Sequence, residues 1–294
     1  MPELPDVVVY IESLERRLLD QPLERIRINS PFVLRSVMPP IAVAEMKRIV
    51  GVLRLGKRIV LALEDELFLV LHLMIAGRLR WLLRGAKLPG TLALAAFDFP
   101  AGTLLFTEAG SRKRASLHLL QGKASLAGFD LGGLEVYEAD LATFAGRLSS
   151  ENHTWRRALT DPRLFSGIGN AYSDEILHRA QLSPIALTGK LGAAEIARLF
   201  EATKSVLAEW TMRLRQETGA GFPERVTAFR REMAVHGRFG KPCPICQAPV
   251  QRIVYAENEC NYCARCQTGG KVLADRALSR LLHKRWPRSI DELG

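Results

Sequence analysis

The chain has 294 residues, of which 48% are hydrophobic and 24% charged, and these values suit two globular domains with a substantial core. Its 41 Lys and Arg residues against 31 Asp and Glu residues give a net charge of +10, which favours polyanionic partners, nucleic acid first. No apolar run is long enough to span a bilayer, and all 5 cysteines lie between Cys243 and Cys266. The sequence therefore argues against a membrane protein or a disulfide-framed secreted protein and predicts a cytoplasmic one.

The first residues, Met1-Pro2-Glu3, hold a candidate nucleophile. An initiator methionine before proline is normally removed, which leaves Pro2 as a secondary amine. Because an α-amino group titrates at about 7.7–8.0, a sizeable fraction is unprotonated at neutral pH and can attack an aldehyde-like carbon such as a sugar C1′. The resulting iminium has no N–H to lose and stays cationic, and Glu3 is placed to transfer protons. The alternative is an ordinary chain start that leads into a proline-capped helix.

The predicted elements begin with a helix over residues 5–20, where apolar side chains recur at helical spacing after Pro5 and Asp6. From there to residue 125 the chain consists of short β-rich runs separated by turn signals such as Leu88-Pro89-Gly90. The candidate strands are residues 25–29, 58–63, 67–73, 78–83, 91–99 and 103–106. Their spacing predicts an antiparallel sandwich or barrel in a first domain, residues 1–125.

The second half of the chain changes character. Residues 126–152 are predicted to form a linker, and residues 153–235 a helical domain that ends in a loop over 217–234. Residues 236–268 contain the cysteines, and residues 269–294 form a basic tail with some predicted helix. Inside the helical domain, the glycine-rich turn before Asn170 predicts an anion pocket that suits a DNA phosphate, with Asn170 capping the helix and donating to the same anion. An ordinary capped helix is the alternative.

Two Cys-x-x-Cys pairs, separated by sixteen residues, predict one structural metal site. Each pair is a tight knuckle that turns two thiolates inward, and four thiolates make a closed tetrahedral site suited to Zn²⁺. The ligands are Cys243, Cys246, Cys263 and Cys266. The remaining Cys260 is expected to be a small buried side chain, and the residues between the pairs a β-hairpin.

Other candidate residues are weak when taken singly. Lys57 precedes a predicted strand, where a surface lysine is the ordinary interpretation, and His72 shares a strand face with Met74, where a buried histidine is ordinary. The basic run Ser111–Arg114, with Arg112, Lys113 and Arg114, suits either a solvated loop or a phosphate-binding finger.

Together these features resemble the formamidopyrimidine-DNA glycosylase/endonuclease VIII family of base-excision repair enzymes. The resemblance runs from Pro2 to about Gln267 and rests on an ordered set of motifs. They are Pro2-Glu3-Leu4-Pro5, Lys57, the segment 72–79, Ser166-Gly167-Ile168-Gly169-Asn170 and the four-cysteine finger preceded by residues 236–242. Leu4-Pro5 is more similar to the formamidopyrimidine branch.

The resemblance implies an α+β protein with an N-terminal β-sandwich and helix, a helix–two-turn–helix domain and a zinc finger, with double-stranded damaged DNA in the cleft between. It implies that Pro2 attacks C1′ and expels an oxidised or ring-opened purine, that Glu3 moves protons, and that β- and δ-elimination then cut the strand. Lys57 and Asn170 would bind phosphate near the lesion, and the turned-out nucleotide would cost a few kcal/mol of stacking. A monomer that acts on the bacterial nucleoid is expected.

Three departures from the family pattern bear on substrate choice. The usual finger arginine, five residues before the third zinc-site cysteine, is Asn258, which removes a bidentate phosphate contact. The usual His-Leu-Gly-Met is His72-Leu73-Met74-Ile75, so Met74 or Ile75 would fill the void left by the flipped base. The usual Asp-Pro-Arg-Arg-Phe-Gly loop is replaced by residues 108–115.

These departures keep other functions open. One is a relative specialised for bulky adducts or cross-links, and another is a non-catalytic protein that binds damaged DNA. Intact Pro2, Glu3 and Lys57 argue against the second, because a protein that only binds DNA needs none of them. A zinc-ribbon transcription or ribosome-associated factor would explain the finger and the charge but not the first 150 residues.

Overall fold

The computed structural model describes residues 1–110, 112–190, 192–224, 226–227, 229–255, 258–275, 279–281 and 287–293. Ser111, residues 256–257 before Asn258, and much of the basic tail lie outside the described residues. The chain divides into two compact units. Unit 1 comprises Met1–Leu131 with Trp210–Thr227, and unit 2 comprises Gly132–Glu209 with Ala228–Gly294.

Unit 1 is a β-sandwich with an N-terminal helix, as predicted. Helix α1 (Leu4–Leu18) is followed by eight strands that form two antiparallel sheets. One sheet has the order β2-β3-β4-β8, with β2 at Ile49–Leu55, β3 at Arg58–Leu63, β4 at Leu67–His72 and β8 at Ser116–Gln121. The other has the order β1-β6-β7-β5, with β1 at Arg25–Ile28, β5 at Gly77–Leu82, β6 at Ala93–Phe99 and β7 at Gly102–Glu108.

The core of unit 1 follows from the two-residue period of these strands. Leu61, Leu69 and Leu119 lie opposite one another across three strands and are all fully buried. Alternation places such side chains on one face of the sheet, where they pack with Tyr10 and Leu14 of α1 in a single cluster. The packing of this cluster fixes the position of the chain start on the sandwich.

All six strands predicted from the sequence are present, and β2 and β8 were missed. The strand β2 contains a register shift between Ile49 and Gly51, which breaks its alternation. In β8, Leu120 packs on a second apolar cluster opposite to the face of Leu117 and Leu119, so the sequence lacks a clean polar face. The register shift removes the period-two signal from β2, and in β8 the signal ends at Leu119, after only four residues.

Unit 2 combines short helices with a small hairpin. Its helices are α3 (Leu141–Ser149), α4 (Trp155–Thr160), α5 (Asn170–Arg179) and the first part of α6 (Ala193–Thr218), while α2 (Lys123–Ala127) belongs to unit 1. Strands β9 (Gln251–Tyr255) and β10 (Asn258–Tyr262) form the predicted hairpin, which leads into α7 (Ala264–Thr268). No helix in the part of the chain that the structure describes is both long and apolar enough to cross a membrane.

Candidate active site, finger and metal centre

The start of the chain is fastened by a capping box at the first turn of α1. Glu3 is the N-cap residue, and its N–H donates to Asp6 Oδ2 at 3.0 Å while its carboxylate pairs with the Asp6 N–H. Pro2, Glu3 and Asp6 are all buried. A reciprocal cap satisfies two backbone donors that a helix start otherwise leaves open, so the first residues have a defined position.

The amine of Met1, the residue before Pro2, lies in a mixed field of charges. Burial lowers its pKa below the ordinary value, and the positive charges of Arg78 and Lys57 act in the same direction. The carboxylates of Glu3 and Asp6 raise the pKa, but the net shift is downward. A lowered pKa increases the fraction of free amine at neutral pH. The fold thus brings Glu3 and Lys57 to the terminus, together with Arg78, which the sequence did not single out.

Lys57 and His72 lie next to each other at one end of the sheet. Lys57 is half-buried after the turn residue Gly56, whose φ is 61°, and burial lowers the pKa of its ammonium against the opposing effect of Glu3. His72 ends β4 opposite Arg58. Burial, followed by Arg58 and Lys57, lowers the pKa of His72 to about 4, so its imidazole is neutral at pH 7.

The turn after His72 presents one apolar side chain to solvent. Met74 is half-buried and has a φ of 51°, the left-handed conformation that glycine adopts without strain. Ile75 follows and is 58% exposed. A Cβ on Gly77 would lie 2.1 Å from the Leu73 carbonyl oxygen, which explains the glycine there. The turn therefore keeps its tight geometry with methionine at the left-handed position, and Ile75 is the more accessible of the two predicted void-filling residues.

The basic loop is organised by the buried carboxylate of Glu108. Glu108 is 2% exposed and accepts hydrogen bonds from the N–H groups of Arg114 and Ala115 at 2.9–3.2 Å. The Lys113 ammonium donates to the Glu108 carbonyl, so the Lys113 side chain turns back toward the end of β7. Arg112 and Arg114 are exposed. Two of the three predicted phosphate-binding cations therefore face solvent.

In unit 2, the side-chain amide of Asn170 contacts that of Asn258, the other amide among the candidate DNA-binding residues. Gly169, and not Asn170, is the N-cap of α5, so the predicted capping role of Asn170 is wrong. Asn170 is the first residue of α5, and its side-chain Nδ2 donates to Asn258 Oδ1 at 3.0 Å. Asn258 therefore lies beside the helix N-terminus, where the backbone favours an anion.

A buried carboxylate holds this arrangement together. Asp174, which is 1% exposed, accepts hydrogen bonds from Arg156 Nε at 3.0 Å, His236 Nδ1 at 2.8 Å and the Asn261 N–H at 3.0 Å. Arg156 Nη2 also donates to the Glu259 carbonyl at 2.6 Å. One carboxylate thus joins α4, α5 and β10. Asp174 and Asn261 are separated by 87 positions in sequence, so no local pattern predicts their contact.

The neighbouring Glu175 fixes the loop that precedes the finger. Its carboxylate accepts hydrogen bonds from three successive N–H groups, those of Ala234, Val235 and His236, at 2.7–2.9 Å. Burial raises the pKa of Glu175, and the three N–H groups oppose that shift. The loop therefore reaches the first knuckle in a fixed conformation.

The four predicted ligand cysteines come together. Their sulfur atoms all lie within 4.8 Å of one another, with Cys243 Sγ 3.9 Å from Cys266 Sγ and Cys246 Sγ 3.4 Å from Cys263 Sγ. A tetrahedral zinc site with Zn–S bonds of about 2.3 Å separates its sulfur atoms by about 3.8 Å, so the cluster fits zinc. Cys260 is 1% exposed and lies outside the cluster, as predicted.

Comparison with known proteins assigns the class. Residues 1–117 match the formamidopyrimidine-DNA glycosylase N-terminal domain, and residues 134–218 match the formamidopyrimidine-DNA glycosylase H2TH (helix–two-turn–helix) domain. The chain belongs to the formamidopyrimidine-DNA glycosylase/endonuclease VIII family of DNA repair proteins, which confirms the resemblance seen in the sequence.

Particular relatives extend the match over most of the chain. The formamidopyrimidine-DNA glycosylase of Thermus thermophilus is 33% identical over 285 residues, which cover 92% of this chain and 100% of the relative. A Mycobacterium tuberculosis protein, described as an uncharacterised formamidopyrimidine-DNA glycosylase-like protein, is 41% identical over 150 residues, which cover 51% of this chain and 93% of the relative.

Two solved structures support the same assignment. The MutM (Fpg) protein of Thermus thermophilus superposes with a TM-score of 0.75 at 32% identity, over 90% of this chain and 98% of that one. The Lactococcus lactis Fpg, solved in complex with DNA containing an abasic site, gives a TM-score of 0.80 at 25% identity, over 90% of this chain and 99% of that one.

The role assigned to Asp174 predicts a large stability difference between two aspartates. Asp174→Asn removes the buried charge that pairs with Arg156, whose side chain is 13% exposed, and should cost about 3–5 kcal/mol of unfolding free energy. Asp161→Asn is the matched control, because Asp161 pairs with Arg163, whose side chain is 60% exposed, and should cost less than about 1 kcal/mol. Urea denaturation measures both, and equal losses would contradict the assigned role.

Proposed function

We propose that this protein is a bifunctional DNA glycosylase and abasic-site lyase that removes oxidised or ring-opened purines. The observation that carries the proposal is Pro2, buried at the start of the chain beside Glu3, in a chain of this family. Lys57 and Arg78 act on the neighbouring amine of Met1, whose pKa is lowered first by burial. An amine nucleophile needs a free lone pair, a proton-transfer group and a means of holding the substrate. Phosphate-binding cations supply the last of these.

The proposed reaction begins after removal of Met1. The Pro2 nitrogen attacks C1′ of the damaged nucleotide, and the bond from C1′ to the base breaks with its electron pair leaving on the base, which is protonated. Opening of the sugar ring gives an iminium that joins Pro2 to C1′, and Glu3 transfers protons at the ring oxygen. The iminium makes the C2′ hydrogen acidic, so loss of that proton expels the 3′ phosphate by β-elimination, and δ-elimination expels the 5′ phosphate. Water finally hydrolyses the iminium and regenerates the amine.

The partner is double-stranded damaged DNA, held through its phosphates. In unit 1 the candidate contacts are Lys57, His72, Arg112 and Arg114, with Lys113 in a secondary role because its ammonium is engaged with Glu108. In unit 2 they are Asn170 and Asn258. Ile75, with Met74 behind it, is the proposed side chain for the void left by the flipped base. The protein is proposed to act as a monomer on the bacterial nucleoid.

A second function, a relative specialised for bulky adducts or cross-links, is favoured by Asn258. The position that carries an arginine in the resemblance holds a neutral amide engaged with Asn170, so one charged phosphate contact is missing. A non-catalytic damage-binding protein is disfavoured, because a protein that only binds DNA gains nothing from a buried Pro2 next to Glu3. Reductive trapping with duplexes that carry different lesions separates these three functions.

The finger is proposed to hold one structural zinc ion through Cys243, Cys246, Cys263 and Cys266. Four thiolates close the coordination sphere, so the ion would stabilise the fold and leave no open position for chemistry. The chain's own part is the placement of β10, and therefore of Asn258.

Reductive trapping tests the nucleophile. Incubating the protein with an abasic-site or oxidised-purine duplex and borohydride should give a covalent protein–DNA adduct, because borohydride reduces an iminium to a stable amine. Glu3→Gln should slow base removal and largely spare cleavage of a ready-made abasic site, since only the first step needs a departing base. Trapping confined to adduct or cross-link duplexes would favour the specialised relative.

The matched control adds one residue before Pro2. An amide nitrogen is delocalised and not nucleophilic, so the extended protein should lose the adduct while it still binds DNA. Equal trapping by the free and extended proteins would place the nucleophile elsewhere, with Lys57 the next candidate. If neither protein traps any lesion duplex, the damage-binding function replaces the enzymatic one.

Metal analysis tests the finger. The purified protein should contain one zinc ion per chain, and Cys243→Ser should lower the zinc content and weaken DNA binding because the hairpin loses its anchor. Cys260→Ser is the control and should retain the metal, since its sulfur lies outside the cluster. Wild-type protein without zinc, or Cys243→Ser with full zinc content, would contradict the assignment.

Asn258 offers a test of how the finger meets DNA. Asn258→Arg should tighten binding to a lesion duplex by about 1–3 kcal/mol, because a guanidinium forms charge-assisted bonds with a phosphate. Asn258→Lys supplies the same charge without the planar fork and should gain less. Fluorescence anisotropy measures both variants, and unchanged or weaker binding by Asn258→Arg would mean that the hairpin does not face a phosphate.

A further inference from the structure

A second group of basic side chains lies on the β2-β3-β4-β8 sheet beside His72. Arg58 is directly opposite His72, His72 is opposite Ser116, and His118 is two residues further along β8. Since strand side chains alternate between faces, Arg58, His72 and His118 share one face. Arg35 lies alongside the same strand, where its N–H donates to the Leu117 carbonyl at 2.8 Å.

The charges within this group all have one sign. Burial lowers the pKa of His118, and the positive charges of Arg58 and Arg35 lower it further. After burial, the charges that lower the pKa of His72 are those of Arg58, Lys57 and His118. In the described part of the chain, no carboxylate is among the charges that act on either imidazole. The guanidinium cation of Arg58 disfavours the charged forms of both imidazoles, and that of Arg35 the charged form of His118, so the group favours an added anion.

The group is also held in place. The His118 ring meets the ring of Phe129 edge-on, with centroids 4.9 Å apart. The Arg58 guanidinium lies 5.8 Å from the same ring, and its Nη1 donates to the Phe129 carbonyl at 3.2 Å. His118 Nδ1 is buried and has no hydrogen-bond partner among the described residues. Phe129 therefore fixes both basic groups and limits the freedom that they would lose on binding.

We propose that Arg35, Arg58 and His118, together with His72, bind a phosphodiester of the DNA backbone next to the one assigned to Lys57. A phosphodiester carries a fixed negative charge and several acceptor oxygens, which suit a guanidinium fork and an imidazole donor. Arg58 adjoins Lys57 in sequence and His72 in the sheet, so the two sites are continuous. The inference rests on the proposed function, because DNA is its ligand.

The site should respond to pH in a defined direction. Burial, Arg58 and Arg35 keep the pKa of His118 below its ordinary value in the free protein, and a bound phosphate raises it. The bound form then takes up a proton that the free form lacks. Affinity should therefore rise as the pH falls from about 7.5 to about 5.5, through the pKa of the bound form toward that of the free form.

Salt-dependent binding to a duplex with a tetrahydrofuran abasic analogue tests the site without chemistry. Arg58→Ala should lower the slope of log K against log salt by about 0.9, the value for one lost phosphate contact. Arg58→Lys keeps the charge and should retain most of that slope. Arg84→Ala is the control, because Arg84 already pairs with Glu24 at 2.8 Å, and should leave the slope unchanged.

The pH dependence of DNA affinity is tested with His118→Gln. This variant should lose much of the gain in affinity that the wild type shows between pH about 7.5 and pH about 5.5. Unchanged slopes in Arg58→Ala together with an unchanged pH response in His118→Gln would overturn the proposal. If Arg58→Ala does not fold, as judged by its circular dichroism melting curve, the same slope test is made with Arg35→Ala, because Arg35 is exposed.

Inorganic phosphate distinguishes the ligand source. If phosphate shifts the imidazole NMR signal of His118 while the Arg58 and Arg35 variants keep wild-type duplex slopes, the cluster takes free phosphate and the DNA assignment is wrong. If the wild type itself fails to bind duplex, the proposed function fails as a whole. Wild-type binding and trapping with unaltered variants would remove this site alone.

Discussion

The capping box between Glu3 and Asp6 is the constraint on which the proposed function depends. It fastens the first turn of α1 at the point where Pro2 is buried, and the packing of α1 on the sandwich core sets where that turn lies. Burial also lowers the pKa of the amine of Met1, the residue next to Pro2. The proposed position and reactivity of Pro2 therefore share one physical origin, since a flexible terminus would be solvated and largely protonated at neutral pH.

Unit 2 solves a similar problem with a carboxylate at its centre. Asp174 accepts hydrogen bonds from Arg156, His236 and the backbone N–H of Asn261, and so fixes the hairpin beside the N-terminus of α5. That buried network sets the position of the amide pair of Asn170 and Asn258. A network in which each partner is satisfied tolerates little change, whereas the amide pair can be altered to tune the proposed DNA contact.

Much of this was predictable from the sequence, and the failures have physical causes. The six predicted strands, the hairpin and the four ligand cysteines rest on local signals of period, turn chemistry and spacing. Arg78 and Asp174 carry no local signal, because only the fold brings them to the terminus and to the hairpin. The capping role of Asn170 was wrong because Gly169 takes the extended N-cap conformation one residue earlier.

The central claim is that the amine of Pro2 performs the chemistry, and peptide mapping of the borohydride-trapped adduct tests it most directly. Mass spectrometry after proteolysis should find the reduced sugar remnant on the N-terminal peptide, with fragment ions that place the added mass on Pro2. Peptides that contain Lys57 should be unmodified. Finding the remnant on Lys57, or on any other side-chain amine while Pro2 is free, would contradict the account.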